Sequence, residues 1–217
     1  MMPRSPGGRI MRSLLTTTLV LSLALLLAAP PARAGAPTDQ LRLQVDRVLK
    51  LLDDPTLKDK PKDKRVAARK IADDIFDFGE TARRSLGRHW AARTQAERDE
   101  FVKLFGDLLE RSYISRIELY GGEKIQYVSD KIEGDQASVL SKLITKAGSD
   151  VPIEYRMLKK GERWLVYDVI IEGVSLVSNY RTQFNKIIQT SSFAELVKKM
   201  KSRQEEMGSS ADSGRPA

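Results

Sequence analysis

Alternating hydrophobic and polar positions are clearest in the second half of the chain. From Ile153 to Met157 every second residue is apolar, a polar turn containing Gly161 follows, and residues 163–171 are nearly all apolar or aromatic. Two extended runs around a short Gly-containing turn predict a β-hairpin. After Gly173 the apolar residues recur at helical spacing, which predicts an amphipathic helix over 174–188.

The same patterns predict the remaining elements of the chain. Four strands are predicted at about 124–132, 136–146, 151–159 and 163–171, and their short Gly-containing connections favour an antiparallel meander. Helices precede this meander and follow it, so the fold class predicted is α+β, with helices packed on one face of a curved sheet. The predicted helices are 38–52, 65–75, 78–86, a long helix from the capping box at Thr94 to about Tyr120, 174–188, and 192 to about 205.

The first 34 residues have the pattern of a secretory signal peptide. Three arginines precede the uncharged apolar run Leu14–Ala29, and Ala32–Ala34 has the small-x-small form of a cleavage site. The alternative is an uncleaved anchor, but the run is shorter than the ~20 residues that a spanning helix needs. We therefore expect cleavage after Ala34, a single domain over 35–206, and a disordered tail over 207–217.

Removal of this segment changes what the charge implies. The whole chain has a net charge of +8, but residues 1–34 hold four arginines and no acid, so the remaining 33 basic and 29 acidic residues leave +4. A mild positive excess on an exported protein gives little support for a nucleic-acid partner, and none is predicted. There is no cysteine, so the fold must depend on its apolar core.

The residues offer few candidates for catalysis. His89 is the only histidine, and the chain contains neither a G-x-S-x-G nucleophile motif nor a phosphate-binding glycine loop. Asp168 and Glu172 lie near an apolar strand and would be an acid–base pair if they met in a pocket. Simple alternation places Asp168 on the same face as Val166 and Ile170, so it should need a partner such as an arginine from a helix. We predict no catalytic centre, no metal site and no cofactor.

The apolar residues exceed what one helix layer on one sheet face needs. Residues 163–171 are apolar on both faces of the predicted strand, and the helices over 101–120 and 174–188 have broad apolar stripes. Such stripes usually form only a core. Here the surplus favours an internal surface that could enclose an apolar ligand.

Three segments carry a family resemblance. Phe76–Trp90 has the pattern FDF…ARxxLGxxW, Phe101–Leu109 follows it with Tyr113 after, and Trp164–Arg181 reads WLVYDVIIEGVSLVSNYR. These segments resemble the MlaC, or toluene-tolerance, family of periplasmic proteins, and the likeness extends over about 38–200. The third motif is long and specific, so the chain is identified as a member of that family.

The resemblance implies more than the composition does. It implies an NTF2-like α+β fold, with a curved antiparallel four-stranded meander sheet and several helices around an apolar cavity. It implies a periplasmic carrier that holds a glycerophospholipid with its acyl chains inside and its headgroup outside. The implied partners are an outer-membrane lipoprotein complex and an inner-membrane ABC transporter complex with its MCE-type substrate-binding subunit. The implied role is to maintain the lipid asymmetry of the outer membrane, without catalysis or a cofactor.

Alternation and helical spacing supply candidate lipid contacts for such a cavity. Each methylene removed from water is worth ~0.8 kcal/mol, so acyl chains gain strongly by entering a dry site. Three alternatives remain open: another apolar ligand such as a hopanoid or an organic solvent, an NTF2-like enzyme that uses Asp168, and a structural envelope protein without a ligand. The candidate lipid-binding residues are Leu108, Ile117, Val139, Ile153, Tyr155, Met157, Leu165, Tyr167, Val169, Val174, Val177 and Tyr180.

Overall fold

The structure is a computed structural model that describes residues 36–57, 59–118 and 122–212, without the side chains of 36, 61, 113–118 and 206–212. The predicted signal peptide over 1–34 and residues 213–217 of the predicted tail lie outside the described residues. Within them, no helix is both long enough and apolar enough to cross a membrane.

The described residues form six α-helices and five strands. The helices are α1 Ala36–Leu52, α2 Pro61–Ile75, α3 Phe78–Leu86, α4 Gln95–Glu118, α5 Leu176–Thr190 and α6 Phe193–Asp212. The strands are β1 Lys124–Glu133, β2 Gln136–Ile144, β3 Asp150–Lys160, β4 Arg163–Ile171 and β5 Val174–Ser175. The sheet is antiparallel in the order β1-β2-β3-β4-β5, which confirms the α+β class and the meander.

The helices begin where the sequence supplies caps. The backbone N–H of Glu80 donates to the Asp77 side chain over 2.9 Å at the start of α3. Before α4, Thr94 and Glu97 exchange hydrogen bonds between backbone N–H and side-chain oxygen, which is a complete capping box. The side chain of Ser192 accepts from the Glu195 N–H at the start of α6. Local capping chemistry therefore fixes three of the helix starts.

Two helix limits differ from the sequence predictions by four residues or more, whereas the start of α1 and both ends of α5 differ by two. Helix α2 begins at Pro61 rather than at Arg65, because a proline in the first turn has no backbone N–H that an intrahelical bond would need. Helix α6 continues to Asp212, whereas we predicted an end near Glu205 and a disordered tail from 207. A single glycine at 208 costs a helix only ~1 kcal/mol, which is too little to end it.

The fifth strand was not predicted. Glu172 and Gly173 both have positive φ, 50° and 81°, and this two-residue turn folds Val174 and Ser175 back onto β4. Positive φ at both central residues is the geometry of a tight type I′ hairpin turn. The prediction of four strands was wrong by this short strand, because Val174 fits the helical apolar stripe equally well.

A β-bulge interrupts β4 at Tyr167. Arg156 pairs with Asp168, but its neighbour Met157 pairs with Val166, which leaves Tyr167 as the extra residue. Residues before and after a bulge exchange faces, so Val166 and Asp168 point to opposite sides of the sheet. The prediction that these two side chains share a face was therefore wrong, since it assumed unbroken alternation.

Two apolar cores hold the elements together. In the helical core, α3, α4, α5 and α6 pack around Phe101, Phe105 and Phe184, whose rings are in mutual contact. In the sheet core, α1 and α2 cover one face of the sheet, and we call this side the inner face. The sheet core consists of Leu41, Ile71, Ile75, Ala137, Val139, Met157, Trp164 and Val166.

Candidate functional site

The strand register sorts the inner face into rows of side chains. Ala137, Met157 and Val166 are aligned in one row, and Val139 and Tyr155 lie in the next. This end of the inner face is covered by α1 and α2, and Val139, Met157 and Val166 are at most 1% exposed. These rows are therefore ordinary protein core.

The same face remains apolar beyond the part that α1 and α2 cover. Its further rows contain apolar residues on all five strands, and most of them are half-buried. At its edge Ile171 is 41% exposed and its β5 partner Val174 is 63% exposed. We call this region the open end of the inner face, and it consists of Ile125, Leu143, Val151, Ile153, Ile171 and Val174.

None of these six residues belongs to the buried core that the described side chains form. An apolar surface rarely stays partly open to water without a partner that covers it. A sheet face that continues as apolar surface past its own helix layer is suited to bind an apolar ligand.

Three polar side chains lie where the covered end meets the open end. Tyr127 and Ser141 share a row with Ile153, and Tyr155 lies in the neighbouring covered row. Tyr127 Oη and Ser141 Oγ are buried and have no hydrogen-bond partner among the described atoms. The Tyr155 hydroxyl lies beside Ser141, but the two oxygens do not meet hydrogen-bond geometry. A buried hydroxyl without a partner costs ~1–3 kcal/mol, so a hydrogen bond to a ligand or a water molecule would stabilise each of these groups.

Both tyrosines stay protonated under ordinary conditions. Burial, with the neighbouring Tyr155 and Asp46, raises the pKa of Tyr127 far above its usual value. Burial also raises the pKa of Tyr155. Both phenols are therefore neutral hydrogen-bond donors beside the apolar surface. The Arg42 guanidinium, from α1, lies 4.9 Å from the centre of the Tyr127 ring.

The structure brings five of the predicted lipid contacts together. Val139, Tyr155, Met157 and Val169 pack in the sheet core, and Ile153 lies in the adjacent row of the open end. Val174 lies at the edge of the same region. Sequence reasoning missed the other open-end residues and Tyr127, although alternation over 124–127 is a usable signal.

The other predicted contacts lie elsewhere. Leu108 and Tyr180 pack on the helical core, and Val177 is a buried residue in the first turn of α5. Leu165 pairs with Leu158 on the opposite face of the sheet, and Tyr167 lies at the bulge beneath the Arg84 guanidinium, which is 4.0 Å from its ring centre. Ile117 lies in α4, but its side chain is outside the described residues.

A groove lies between α4, α5 and α6. Its floor contains Leu108, Tyr180, Phe184 and Met200, and polar and basic side chains form its rim. Its volume is about 220 Å³, below the ~300–1,000 Å³ that is typical of small-molecule sites. We call it the helical groove, and it is too small to enclose a lipid with two acyl chains.

Asp168 is held in place by groups of the fold. Its carboxylate accepts hydrogen bonds from Ser175 Oγ at 2.7 Å and from the Val177 N–H at 3.0 Å, and Arg156 lies 4.0 Å away. The arginine comes from β3, so the expected helical partner was wrong. Glu172 is exposed in the turn after β4 and makes no contact with Asp168 in the described structure. These contacts join β4 to α5, which is a structural role.

Groups that could act in other chemistry are dispersed. His89 Nε2 lies 2.9 Å from Asn185 Oδ1 and its ring is half-buried between helices. In the part of the chain that the structure describes, no three His, Cys, Asp or Glu side chains form a group suited to a metal ion. Among the described residues, the open end of the inner face is thus the strongest candidate for a binding site.

Comparisons with known proteins show which proteins this chain resembles. The chain is 29% identical over 120 residues to the intermembrane phospholipid transport system binding protein MlaC of Haemophilus influenzae. That match covers 53% of this chain and 56% of the relative, so it spans only about half of either protein.

A solved structure resembles the whole fold. It is the phospholipid-binding protein from Ralstonia solanacearum in complex with a phospholipid, with a TM-score of 0.69 and 25% sequence identity. The alignment covers 79% of this chain and 98% of that protein. The family model described as MlaC protein matches residues 43–202. Because this match includes most of the sequence, the chain belongs to the MlaC family.

Proposed function

We propose that this protein is a periplasmic carrier that binds a glycerophospholipid with its acyl chains against the open end of the inner face. The observation that carries the proposal is the apolar surface of six residues that continues past the helix-covered core. Family membership supports it, as do a relative named for phospholipid transport and a structural neighbour that holds a phospholipid.

The energetics favour acyl chains as the ligand. Burial of apolar surface yields roughly 25 cal/mol per Å², or ~0.8 kcal/mol for each methylene. A lipid on the open end gains this free energy from its own chains and also from Ile171 and Val174, which are otherwise exposed. An ordered acyl chain therefore replaces water on both partners.

The buried hydroxyls favour an ester lipid over a pure hydrocarbon. Tyr127 Oη and Ser141 Oγ have unused hydrogen-bonding capacity at the border of the apolar surface. The ester carbonyls of a glycerophospholipid are acceptors that lie between its chains and its headgroup. A lipid seated with its chains on the open end can accept hydrogen bonds there, whereas a hydrocarbon solvent cannot.

Transport is the second part of the proposal. A carrier must collect its lipid from one membrane and deliver it to another, so we propose an outer-membrane lipoprotein complex and an inner-membrane ABC transporter complex with an MCE-type subunit as partners. Export by the signal peptide over 1–34 places the protein between them. Asp168 is engaged by Ser175 and Val177, so we assign no catalytic step.

Native mass spectrometry of the protein, exported to the periplasm and purified without detergent, tests this proposal. We expect an added mass equal to one phospholipid, and phosphatidyl lipids in the organic extract. Protein that purifies empty and also fails to take up labelled phospholipid from vesicles would contradict the carrier function. A hopanoid in the extract would instead identify a different apolar cargo.

A further inference from the structure

Helix α5, helix α6 and the short segment Gly87–His89 together present a group of exposed cations. Helix α5 itself contains Arg181 and Lys186 and no acidic residue. Neighbouring elements add exposed basic side chains on both of its sides. We call this surface the basic face, and it consists of Arg88, Arg181, Lys186, Lys198, Lys199 and Arg203.

Contacts between the elements place these cations around α5. On one side Arg181 Nε donates to the Arg84 backbone oxygen at 2.8 Å, and an Arg88 guanidinium nitrogen donates to Asn185 Oδ1 at 2.7 Å. On the other side Lys199 and Arg203 of α6 line the helical groove together with Asn179 and Gln183 of α5. The exposed side of α5 is therefore bordered by positive charge along both edges.

The charge of this face is not neutralised by the fold. Among the described residues, none of the six cations forms an ion pair with a carboxylate. By contrast, Lys201 on α6 pairs with Glu100 of α4. The hydrogen bonds of Arg88 and Arg181 go to neutral oxygens. Among the described side chains, Glu195 lines a concavity with Lys198 and Lys199, and it is half-buried. Among the described residues the basic face thus carries an excess of positive charge.

The charge of the basic face and its lack of exposed large apolar residues indicate which kind of partner it binds. Stable protein interfaces usually contain a buried apolar or aromatic centre. In the described structure the exposed large apolar residues lie on α1, α2 and the sheet, and none lies on α5 or α6. The helical groove beside Lys199 and Arg203 has an apolar floor but holds only about 220 Å³. Six cations that pair with no described carboxylate therefore fit a partner surface that offers negative charge.

We propose that the basic face docks the protein on the surface of an anionic phospholipid bilayer. Each Lys or Arg that reaches such a surface contributes about fivefold to binding (about 1 kcal/mol), and the attraction is screened over ~8 Å at physiological salt. This inference goes beyond lipid carriage and does not depend on it.

Docking through this face has a consequence for the carrier. The exposed Ile171 and Val174 immediately precede α5 in the chain. Helix α5 therefore begins at the edge of the open end, so docking along this helix would hold that edge within one helix length (~22 Å) of the bilayer.

Vesicle co-sedimentation of the full mature protein tests the inference. The probes are phosphatidylcholine vesicles, with and without about one-third phosphatidylglycerol, at low and physiological salt. The test variant is the triple substitution Lys186→Gln, Lys198→Gln and Lys199→Gln. A matched triple removes the same charge from exposed positions on α1 and α2, with Lys50→Gln, Lys62→Gln and Lys70→Gln.

We expect binding only to the anionic vesicles, weakening with salt, and lowered about 100-fold by the basic-face triple. The α1–α2 triple should bind nearly as the unmodified protein does. Equal losses in both triples would show a response to net charge alone and overturn the proposal. No binding to anionic vesicles would also overturn it, and capture of an acidic protein through the same residues would then assign the face to a protein partner. Neutral vesicles offer the same acyl chains, so a failure of lipid uptake remains distinguishable from a failure of docking.

Discussion

Placing a carboxylate on the open end should abolish lipid binding without unfolding the protein. Ile153 is half-buried on the inner face of β3, in the row that pairs with Ile171. Leu165 is equally half-buried on the adjacent strand β4, but it points to the opposite face. The sequence alone assigned both residues to the lipid site, so Ile153→Glu and Leu165→Glu form a matched pair.

The size of the effect follows from burial. In the lipid-free protein each glutamate can extend into water, so each substitution should cost only ~1–2 kcal/mol of stability from the lost apolar contact. With an acyl chain laid over position 153, the carboxylate loses its water and finds no partner. Burial of an unpaired charge costs several kcal/mol. At ~4 kcal/mol the affinity of Ile153→Glu falls about 1,000-fold.

Two measurements separate binding from folding. Thermal unfolding followed by circular dichroism should give similar midpoints for the two variants, and native mass spectrometry should find lipid on Leu165→Glu but not on Ile153→Glu. Similar lipid occupancy in both folded variants would refute the assignment of the inner face. Selective loss in Leu165→Glu would place the lipid on the other side of the sheet.

Three further predictions concern individual side chains. Tyr127→Phe removes a buried hydroxyl that has no partner in the described structure, so the stability of the lipid-free protein should not fall. Phospholipid affinity should drop about fivefold because a hydrogen bond to the ester is lost, and an unchanged affinity would show that the hydroxyl has no role in binding. Asp168→Asn weakens two hydrogen bonds to a buried carboxylate. The free energy of unfolding, measured in urea, should fall by ~1.5–3 kcal/mol, and an unchanged unfolding midpoint would disprove the structural role. Hydrogen bonding to Arg83, opposed by partial burial and aided by Arg84, lowers the pKa of Glu80 below 4.5. Its contribution to stability is therefore present above pH 4.5 and is lost as pH falls through the lower folded value, so Glu80→Gln should reduce the acid sensitivity of unfolding; an unaltered pH profile would count against this ion pair.

The sequence was informative about elements because their signals are local. Caps at Asp77, Thr94 and Ser192 depend on residues three positions apart, and the structure contains each of these hydrogen bonds. Alternation over 153–157 likewise identified the inner face of β3. Periodicity and capping therefore sufficed for the class of fold and for most element limits.

The structure differs from the sequence predictions where the backbone geometry is irregular, because hydrophobic periodicity gives no signal for a bulge or a tight turn. The bulge at Tyr167 reverses the faces of β4, and the positive-φ turn at Glu172 and Gly173 creates β5. Leu165 was assigned to the ligand site because a strand that is apolar on both faces gives no indication of which face is which. Only the pairing of β3 with β4 decides this.

The open end of the inner face depends on pairings that are distant in sequence. Ile125, Leu143 and Val151 come from three strands and become neighbours through register alone. Each is an unremarkable alternating residue in its own strand. The site could therefore be predicted as apolar, but its extent past the helix layer required the structure.

Photo-crosslinking with a phospholipid that carries a diazirine near the middle of one acyl chain tests the central claim most directly. After loading, irradiation and proteolysis, we expect labelled peptides from β1 to β3 that contain Ile125, Leu143 or Ile153. The same lipid should label Leu165→Glu protein at these positions. Labels confined to the helical groove, or to the face of the sheet opposite the inner face, would contradict this assignment of the lipid site.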